Sequence, residues 1–370
     1  MIRILLAGAG KIGGTIAAML HESGDWDLKV IDAHERALRE IAAGGIETEA
    51  LDITDAAERR RVIDGATVVI SALPYDLNGP LAESAKDAGA HYFDLTEDVE
   101  SMRHVKALAP NARSAIMPQC SLAPGFISIV ANDLARRFDS VHSIQMRVGA
   151  LPQFPANALM YNLTWSTVGL INEYCNPCEV IADGRRMEVR ALDDYETFSL
   201  DVITYEAFNT SGGLGTLCET FDGRVTHLDY KTVRYPGHRD LARLLARELR
   251  LCERRDMFKD VLEHAVPMTT QDVVLIFVSV TGERDGQLMQ ESFARKIYPA
   301  EIGGAPRSAI QVTTAAGMCA VVDLVCAGKL PQQGFVRQEE VRLEDFLANR
   351  YGRWYEAEIP SVGEFSAPAS

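Results

Sequence analysis

The first third of the chain alternates between short apolar runs and segments whose apolar residues have helical spacing. The apolar runs lie at 2–7, 28–31, 66–70, 91–95 and 114–117, and a more polar strand is predicted at 46–51; helical segments separate them, among them 15–22, 55–63 and 78–88. Runs this apolar predict strands that are buried on both faces of a parallel sheet. Six strands with five intervening helices predict a doubly wound α/β domain, which binds ligands at the carboxyl ends of its strands.

A glycine-rich turn follows the first predicted strand. Its sequence is Gly8-Ala-Gly10-Lys11-Ile12-Gly13. In this spacing the first glycine permits a tight strand-to-helix turn, the second lets the backbone approach a pyrophosphate, and the third lets the helix pack on its strand. The free N–H groups at the start of the helix favour phosphate. The turn therefore predicts a dinucleotide-binding site.

The acidic residue Asp32 ends the second predicted strand, where it can accept hydrogen bonds from ribose hydroxyls. A carboxylate there repels a 2′-phosphate, so the sequence favours NAD over NADP, although Arg36 stands nearby and leaves NADP open. Small residues end the fourth strand, where they complete the predicted cofactor site: Ser71, Ala72, Leu73 and Pro74.

Beyond residue 138 the strand–helix alternation stops. Runs typical of strands lie at 143–148, 185–190, 202–208, 224–232, 272–281 and 288–297, and helical segments at 240–251, 259–265, 309–327 and 346–351. Many strands with few helices predict a second domain of the α+β class. We place the first domain at 1–124 and the second at 125–307, and expect a loose tail at 357–370, where periodicity is absent.

Composition narrows the possible partners. The net charge is −15, which disfavours binding to nucleic acid or to an anionic membrane surface. Neither a transmembrane run nor a signal peptide is evident, and the seven cysteines, an odd number in a long chain, indicate reduced thiols and a cytoplasmic protein. Cys175 and Cys178 lack a second ligand pair at usable spacing, so we expect no metal site.

Acidic residues gather where the fifth predicted strand ends. Asp94 lies in the strand, and Glu97 and Asp98 follow it. At the carboxyl end of a strand they could recognise a substrate ammonium group or accept its proton. The alternative is that Thr96 caps the next helix and the acids favour its N-terminus.

The second half offers another group of polar residues. Arg234, Tyr235 and His238 follow a probable strand, and Tyr161 lies in a polar, aromatic stretch. A guanidinium binds a carboxylate in bidentate fashion, and an imidazole transfers protons near neutral pH. A surface ion pair for Arg234 and a helix cap for His238 remain alternatives.

Five segments together resemble the saccharopine dehydrogenase/reductase family, and most closely its bacterial NAD-dependent lysine 6-dehydrogenase branch. They are the glycine turn, 94–98, 120–125, 209–216 and 234–238, and the resemblance extends over about residues 1–355. It implies a Rossmann domain, a second domain that binds substrate and builds a homodimer or larger oligomer, and a C-terminal helical segment, 308–355, that packs back on the first domain.

The resemblance also implies a reaction. The enzyme would use NAD to oxidise the ε-amine of L-lysine to the 6-semialdehyde, which cyclises, with release of ammonia. Asp94 or Glu97 would bind the ammonium, His238 would transfer a proton, Arg234 would hold the α-carboxylate, and Tyr161 or Tyr235 would orient the substrate. Alternatives are a saccharopine dehydrogenase, for which Arg147, Arg185 and Arg307 could supply further positive charge, and a non-catalytic NAD-binding protein.

Overall fold

The first domain is a parallel sheet with helices on both faces. A computed structural model describes residues 1–356, so the predicted loose tail lies outside the described residues. The elements are β1 (Ile2–Ala7), α1 (Lys11–Ser23), β2 (Trp26–Asp32), α2 (Glu35–Ala43), β3 (Glu47–Ala50), α3 (Ala56–Ile63), β4 (Val68–Ser71), α4 (Asn78–Ala88), β5 (His91–Asp94), α5 (Val99–Leu108) and β6 (Ala115–Met117). These elements confirm the predicted doubly wound domain.

The strand order places the carboxyl ends of β1 and β4 side by side. The six strands run parallel in the order β3-β2-β1-β4-β5-β6, and a short strand from the C-terminal segment joins the edge at β6. The order in which strands are added to the sheet reverses between β1 and β4, which is the position where doubly wound sheets bind ligands. Val68, Val69 and Ile70 in β4 are fully buried, as their continuous apolar run predicts.

The second domain is built on a mixed sheet, as the α+β prediction requires. Its elements are α6 (Phe126–Ala135), β7 (Ser140–Pro152), α7 (Thr167–Cys175), β8 (Cys178–Ala182), β9 (Arg185–Val189), β10 (Glu196–Leu200), β11 (Ile203–Asn209), α8 (Leu217–Thr220), β12 (His227–Arg234), α9 (His238–Arg243), α10 (Arg255–Ala265), β13 (Asp272–Arg284), β14 (Gln287–Ile297), β15 (Ala300–Ile302) and β16 (Ala305–Arg307). The sheet has the order β10-β11-β12-β7-β13-β14, in which β12 and β7 are parallel.

The C-terminal segment packs on the first domain through one long apolar helix. Its elements are α11 (Ala309–Cys326), β17 (Gly334–Phe335) and α12 (Leu343–Leu347), and α11 packs against α1. The carboxylate of Asp272 accepts hydrogen bonds from the first N–H groups of α11, those of Ala309 at 2.6 Å and Ile310 at 3.0 Å. α11 is long and apolar enough to cross a membrane, but 83% of it is buried inside the protein, which makes it a core helix.

The cysteines correct one expectation. Cys175, at the end of α7, forms a disulfide with Cys252, and the other five cysteines are free thiols. The prediction that all the cysteines are reduced is therefore wrong for this pair. The two residues are 77 positions apart in sequence, and only the fold brings them together.

Candidate active site

The glycine turn is shaped by close backbone contacts. Gly8 has a φ of +104°, and a Cβ atom there would lie 2.5 Å from the carbonyl oxygen of Ala72. A Cβ atom on Gly13 would lie 1.9 Å from the carbonyl oxygen of Gly8, so neither position admits a side chain. Gly10 has no neighbour within 4 Å and precedes the first residue of α1. Its open face leaves room for a pyrophosphate beside the helix N-terminus.

Asp32 lies next to this turn, and its carboxyl group stays ionised. Its carboxylate accepts the backbone N–H groups of Ala9 and His34, each at 2.7 Å. Partial burial alone would raise the pKa of Asp32, but these hydrogen bonds and the His34 ring outweigh it and hold the pKa below its usual value. Asp32 is therefore an anion at neutral pH, in the position where a ribose of the dinucleotide is expected.

The other predicted cofactor residues surround the turn. The Ala72 N–H group donates to the Ala7 carbonyl at 2.8 Å, which sets Leu73 and Pro74 beside the turn, while the Ser71 hydroxyl is committed to Asn78 at 2.7 Å. Two residues of the turn point in different directions. Ile12 packs against the core, whereas the Lys11 Nζ reaches the Met268 Sδ of the second domain at 3.5 Å.

Asp94 is fully buried at the end of β5. Its Oδ1 accepts the backbone N–H groups of Thr96 and Gln119, both at 3.0 Å, whereas its Oδ2 has no hydrogen-bond partner among residues 1–356. Gln119 has the left-handed φ of +65° that this contact requires. Burial raises the pKa of Asp94 to about 6, although the Thr96 and Gln119 N–H groups and the nearby Tyr92 hydroxyl lower it.

Glu97 belongs to the site, whereas Asp98 caps a helix. Asp98 accepts the Ser101 N–H at 2.8 Å at the start of α5, so the capping alternative applies to Asp98 rather than to Thr96. Glu97 makes no ion pair within the described chain, and burial together with the neighbouring acids raises its pKa to about 7. A carboxylate with this pKa can accept or release a proton near neutrality.

Helix α7 of the second domain brings a further acid to Glu97. A Cβ atom on Gly169 would lie 2.6 Å from the Glu97 Oε1, so the Glu97 carboxylate lies against this helix. Glu173 stands four residues later, on the same face of α7. Its Oε2 has no hydrogen-bond partner in the described chain, and burial with the nearby Glu97 charge raises its pKa to about 8.

The glycine-rich stretch 210–216 supports this arrangement through its backbone. A Cβ atom on Gly212 would lie 2.5 Å from the carbonyl oxygen of Glu97, and the Ser211 N–H donates to the Glu173 carbonyl at 3.0 Å. The stretch therefore holds the two acids in place, and Gly212 allows the backbone to pack closely against Glu97.

Arg234, Tyr174 and His238 form a buried hydrogen-bonded chain. The Arg234 Nε donates to the Tyr174 hydroxyl at 3.1 Å, and Tyr174 is 2.8 Å from the His238 Nε2. The His238 Nδ1 lies 2.8 Å from the Leu159 carbonyl, which can only accept, so Nδ1 carries the proton and Tyr174 donates to Nε2. Burial and the Arg234 charge lower the pKa of His238 to about 3.

This geometry revises the role expected of His238. The residue is 2% exposed, and both ring nitrogens are bonded to protein groups. A neutral, fully bonded imidazole has no free nitrogen for a substrate, so His238 positions Tyr174, and through it Arg234, rather than exchanging a proton with a ligand.

The two predicted tyrosines lie in different places. Tyr161 is buried under Arg234, whose guanidinium carbon is 4.8 Å from the centre of its ring, and its hydroxyl has no partner within residues 1–356. Tyr235 points away, because it donates to the Pro152 carbonyl at 3.0 Å and stacks on Tyr205. Of the two, the structure brings only Tyr161 to the site.

Several polar atoms of these residues are thus buried without hydrogen-bond partners in the described chain. These are Asp94 Oδ2, Tyr161 Oη, Thr164 Oγ1 and Glu173 Oε2. Buried polar atoms are rarely left unpaired unless water or a ligand satisfies them. They indicate a polar binding site that combines three acids, Asp94, Glu97 and Glu173, with one guanidinium, Arg234.

Comparisons with known proteins agree with this two-domain arrangement. Residues 4–117 match the family model of the saccharopine dehydrogenase NADP binding domain, and residues 121–351 match that of the saccharopine dehydrogenase C-terminal domain. The apo structure of the L-Glu-forming saccharopine dehydrogenase from Saccharomyces cerevisiae superposes with a TM-score of 0.75 at 16% identity, over 92% of this chain and 94% of that one. This likeness shows the fold.

Two curated relatives match over shorter lengths. The mitochondrial alpha-aminoadipic semialdehyde synthase of Mus musculus is 20% identical over 195 residues, which are 50% of this chain and 21% of the relative. The NADP⁺, L-glutamate-forming saccharopine dehydrogenase of Schizosaccharomyces pombe is 23% identical over 154 residues, 40% of this chain and 34% of the relative. The chain thus spans about a third or less of the length of either relative.

Proposed function

Because the chain belongs to the saccharopine dehydrogenase family, we propose that it oxidises the side-chain amine of L-lysine with NAD. The charge of the site carries this proposal. Asp94, Glu97 and Glu173 bring three acids together, and Glu173 faces the one buried guanidinium of the site, Arg234, at 3.9 Å. Lysine complements this set, because it carries two ammonium groups and one carboxylate.

The residues around the glycine turn fit NAD. Gly10 leaves space for the pyrophosphate at the start of α1, and the anionic Asp32 faces the position of the ribose. An ionised carboxylate there opposes the 2′-phosphate of NADP, which supports NAD. When bound, the nicotinamide would supply the hydride acceptor, and the protein supplies orientation and proton transfer.

Asp94 and Glu97 are suited to prepare the amine. An ammonium group must lose a proton before the adjacent carbon can release hydride, because the nitrogen lone pair forms the new C=N bond. Glu97, with a pKa of about 7, can accept that proton near neutrality, and the unpaired Asp94 Oδ2 can accept a hydrogen bond from the same nitrogen. Water then adds to the imine carbon, ammonia leaves, and the 6-semialdehyde remains.

The same charges disfavour saccharopine as substrate. Saccharopine has three carboxylates, and the arginines that could serve them are engaged or lie elsewhere. Arg147 is buried in ion pairs with Glu196 and Asp229, and Arg185 is exposed on the β8–β9 hairpin. Arg307 stands on β16, in the hairpin that packs on α1. Arg234 alone would leave two carboxylates beside three acids, an arrangement that costs binding energy.

The test is reduction of NAD, followed by nicotinamide absorbance, with L-lysine or saccharopine as substrate and NADP in a parallel series. We expect NADH and ammonia from lysine with NAD. Glu97→Gln should abolish most of this activity, whereas Glu100→Gln, an exposed neighbour with the same charge change, should retain it. Reduction with saccharopine but not with lysine would contradict the proposal.

A further inference from the structure

Glu173 and Arg234 face each other across a gap that is too long for a hydrogen bond. The Arg234 Nη2 is 3.9 Å from the Glu173 Oε2, and that oxygen has no hydrogen-bond partner within residues 1–356. A carboxyl oxygen buried to this extent is normally hydrogen-bonded, because an unpaired buried polar atom costs free energy. The open pair therefore indicates that another polar group completes it.

Both side chains are held in position by contacts that leave the facing atoms free. The Arg234 guanidinium donates through Nε to Tyr174 and through Nη1 to the Val233 carbonyl at 2.9 Å, which leaves Nη2 directed at Glu173. Glu173 is fixed by α7, which Ser166 caps through the Gly169 N–H at 3.1 Å. The side chain of Glu173 is 12% exposed, while its Oε2 is buried and faces Arg234.

We propose that Glu173 and Arg234 form the subsite for the head group of an amino acid. The Glu173 carboxylate accepts the α-ammonium group, and the Arg234 Nη2 donates to the α-carboxylate. A zwitterion presents these two charges on one carbon, so a single head group satisfies both partners of the open pair. The inference rests on the proposed function only in taking the substrate to be an amino acid, and it leaves Asp94 and Glu97 for the reacting amine.

The protonation of Glu173 provides a signature of this contact. Its pKa is raised to about 8, mainly by burial and further by the nearby Glu97 charge, although the positive charge of Arg234 lowers it in part. In the ligand-free protein Glu173 therefore holds a proton at pH 7, and an ammonium group beside it would displace that proton. Tyrosine and cysteine groups around it stay protonated at pH 7, since burial raises the pKa of each: Tyr161, Tyr174, Tyr230 and Cys178. Glu97, with a pKa of about 7, is the neighbour that also titrates there, so its contribution has to be subtracted with a variant.

L-norleucine tests the subsite without depending on the reaction. It has the head group of lysine and lacks the side-chain amine, so it can bind and cannot be oxidised there. Calorimetric titration of the NAD-saturated protein should show that Glu173→Gln weakens L-norleucine binding about 10- to 100-fold, the range for loss of a charge-assisted hydrogen bond. Hexanoate, which lacks the α-ammonium group, should bind the two proteins equally.

Measurement of proton release distinguishes direct contact between Glu173 and the ammonium group from a purely structural effect of the substitution. At pH 7, titration in buffers with different ionisation enthalpies should show close to one more proton released when L-norleucine binds the parent protein than when it binds Glu173→Gln, because Glu97 is present in both. The exposed Glu188→Gln on β9 is the matched control and should behave like the parent. Circular dichroism verifies that each variant is folded.

The outcomes separate this inference from the proposed function. Glu173-dependent binding of L-norleucine without oxidation of lysine would overturn the lysine reaction and retain the subsite. No binding of L-norleucine or lysine to the folded parent protein would overturn the subsite. Equal binding by the parent and Glu173→Gln would also overturn it and would leave Arg234 as a structural partner of Tyr174.

Discussion

Replacement of Asp32 by Asn should change the preference for the nicotinamide cofactor. The Asp32 carboxylate accepts two backbone N–H groups at 2.7 Å, and these hold it at the end of β2 with its remaining lone pairs free for a ribose. Asn keeps the shape and loses the charge. Loss of one charge-assisted hydrogen bond costs about 1.5–3 kcal/mol, which corresponds to about 10- to 150-fold weaker binding of NADH.

NADPH should respond in the opposite direction. The 2′-phosphate would approach a neutral amide instead of an anion, so the ratio of NADH to NADPH affinity should fall by at least about tenfold. Both affinities can be measured by titrating the fluorescence of the reduced nicotinamide. Asp27→Asn, an exposed change on the same strand, is the control and should leave both affinities unchanged. An NADH affinity within about twofold of the parent in Asp32→Asn would refute the assignment of Asp32 to the ribose.

Three further predictions follow from the site and the fold. If Glu97 is the base, kcat/KM for lysine rises as the pH increases through about 7, and Glu97→Gln removes this step; an unchanged profile would exclude it. Gly169→Ala should lower both kcat/KM and the melting temperature, since its Cβ atom would meet the Trp165 ring at 2.4 Å and this clash outweighs the gain of about 1 kcal/mol in helix propensity, whereas Gly14→Ala, in open space on α1, should leave activity unchanged. Thiol titration of the denatured, unreduced protein should find five free thiols, and seven would exclude the disulfide.

The first domain could be predicted from the sequence because its signals are local. Strands buried on both faces appear as continuous apolar runs. β1 therefore has the predicted bounds, and the other strands of the first domain begin and end within two residues of prediction. The helix α4 also has the predicted bounds. The glycine turn is equally local, since Gly8 and Gly13 meet within one turn of chain. Fold class and a nicotinamide cofactor could therefore be inferred without a structure.

The candidate site could be predicted only in part, because contacts between distant segments decide it. The structure places Asp94 beside Glu97, and Tyr161 under Arg234, while their role in catalysis stays a prediction. Glu173 was missed, since a single acid in an apolar helical stretch, 168–175, has no local motif to mark it. The only available signal was that charge in an otherwise buried helix.

His238 and Tyr235 were expected in the site because they lie next to Arg234 in sequence, but neither is free to contact a ligand there. Both stand beside Arg234 in a distinctive stretch, and adjacency suggested a shared role. At the end of β12, however, consecutive side chains point to opposite faces of the sheet, which sends Tyr235 toward Pro152. His238 begins α9 and turns inward, where Leu159 and Tyr174 occupy both of its nitrogens.

The acidity of the site arises where the two domains meet. Asp94 and Glu97 come from the end of β5, and Glu173 and Arg234 come from α7 and β12. Within the first domain alone Glu97 would lack the packing of Gly169 and Gly212, and without that burial its carboxyl would titrate near the ordinary range. The raised pKa values of Glu97 and Glu173 thus depend on the packing of the two domains against each other, so the base that we propose would be lost if the domains were separated.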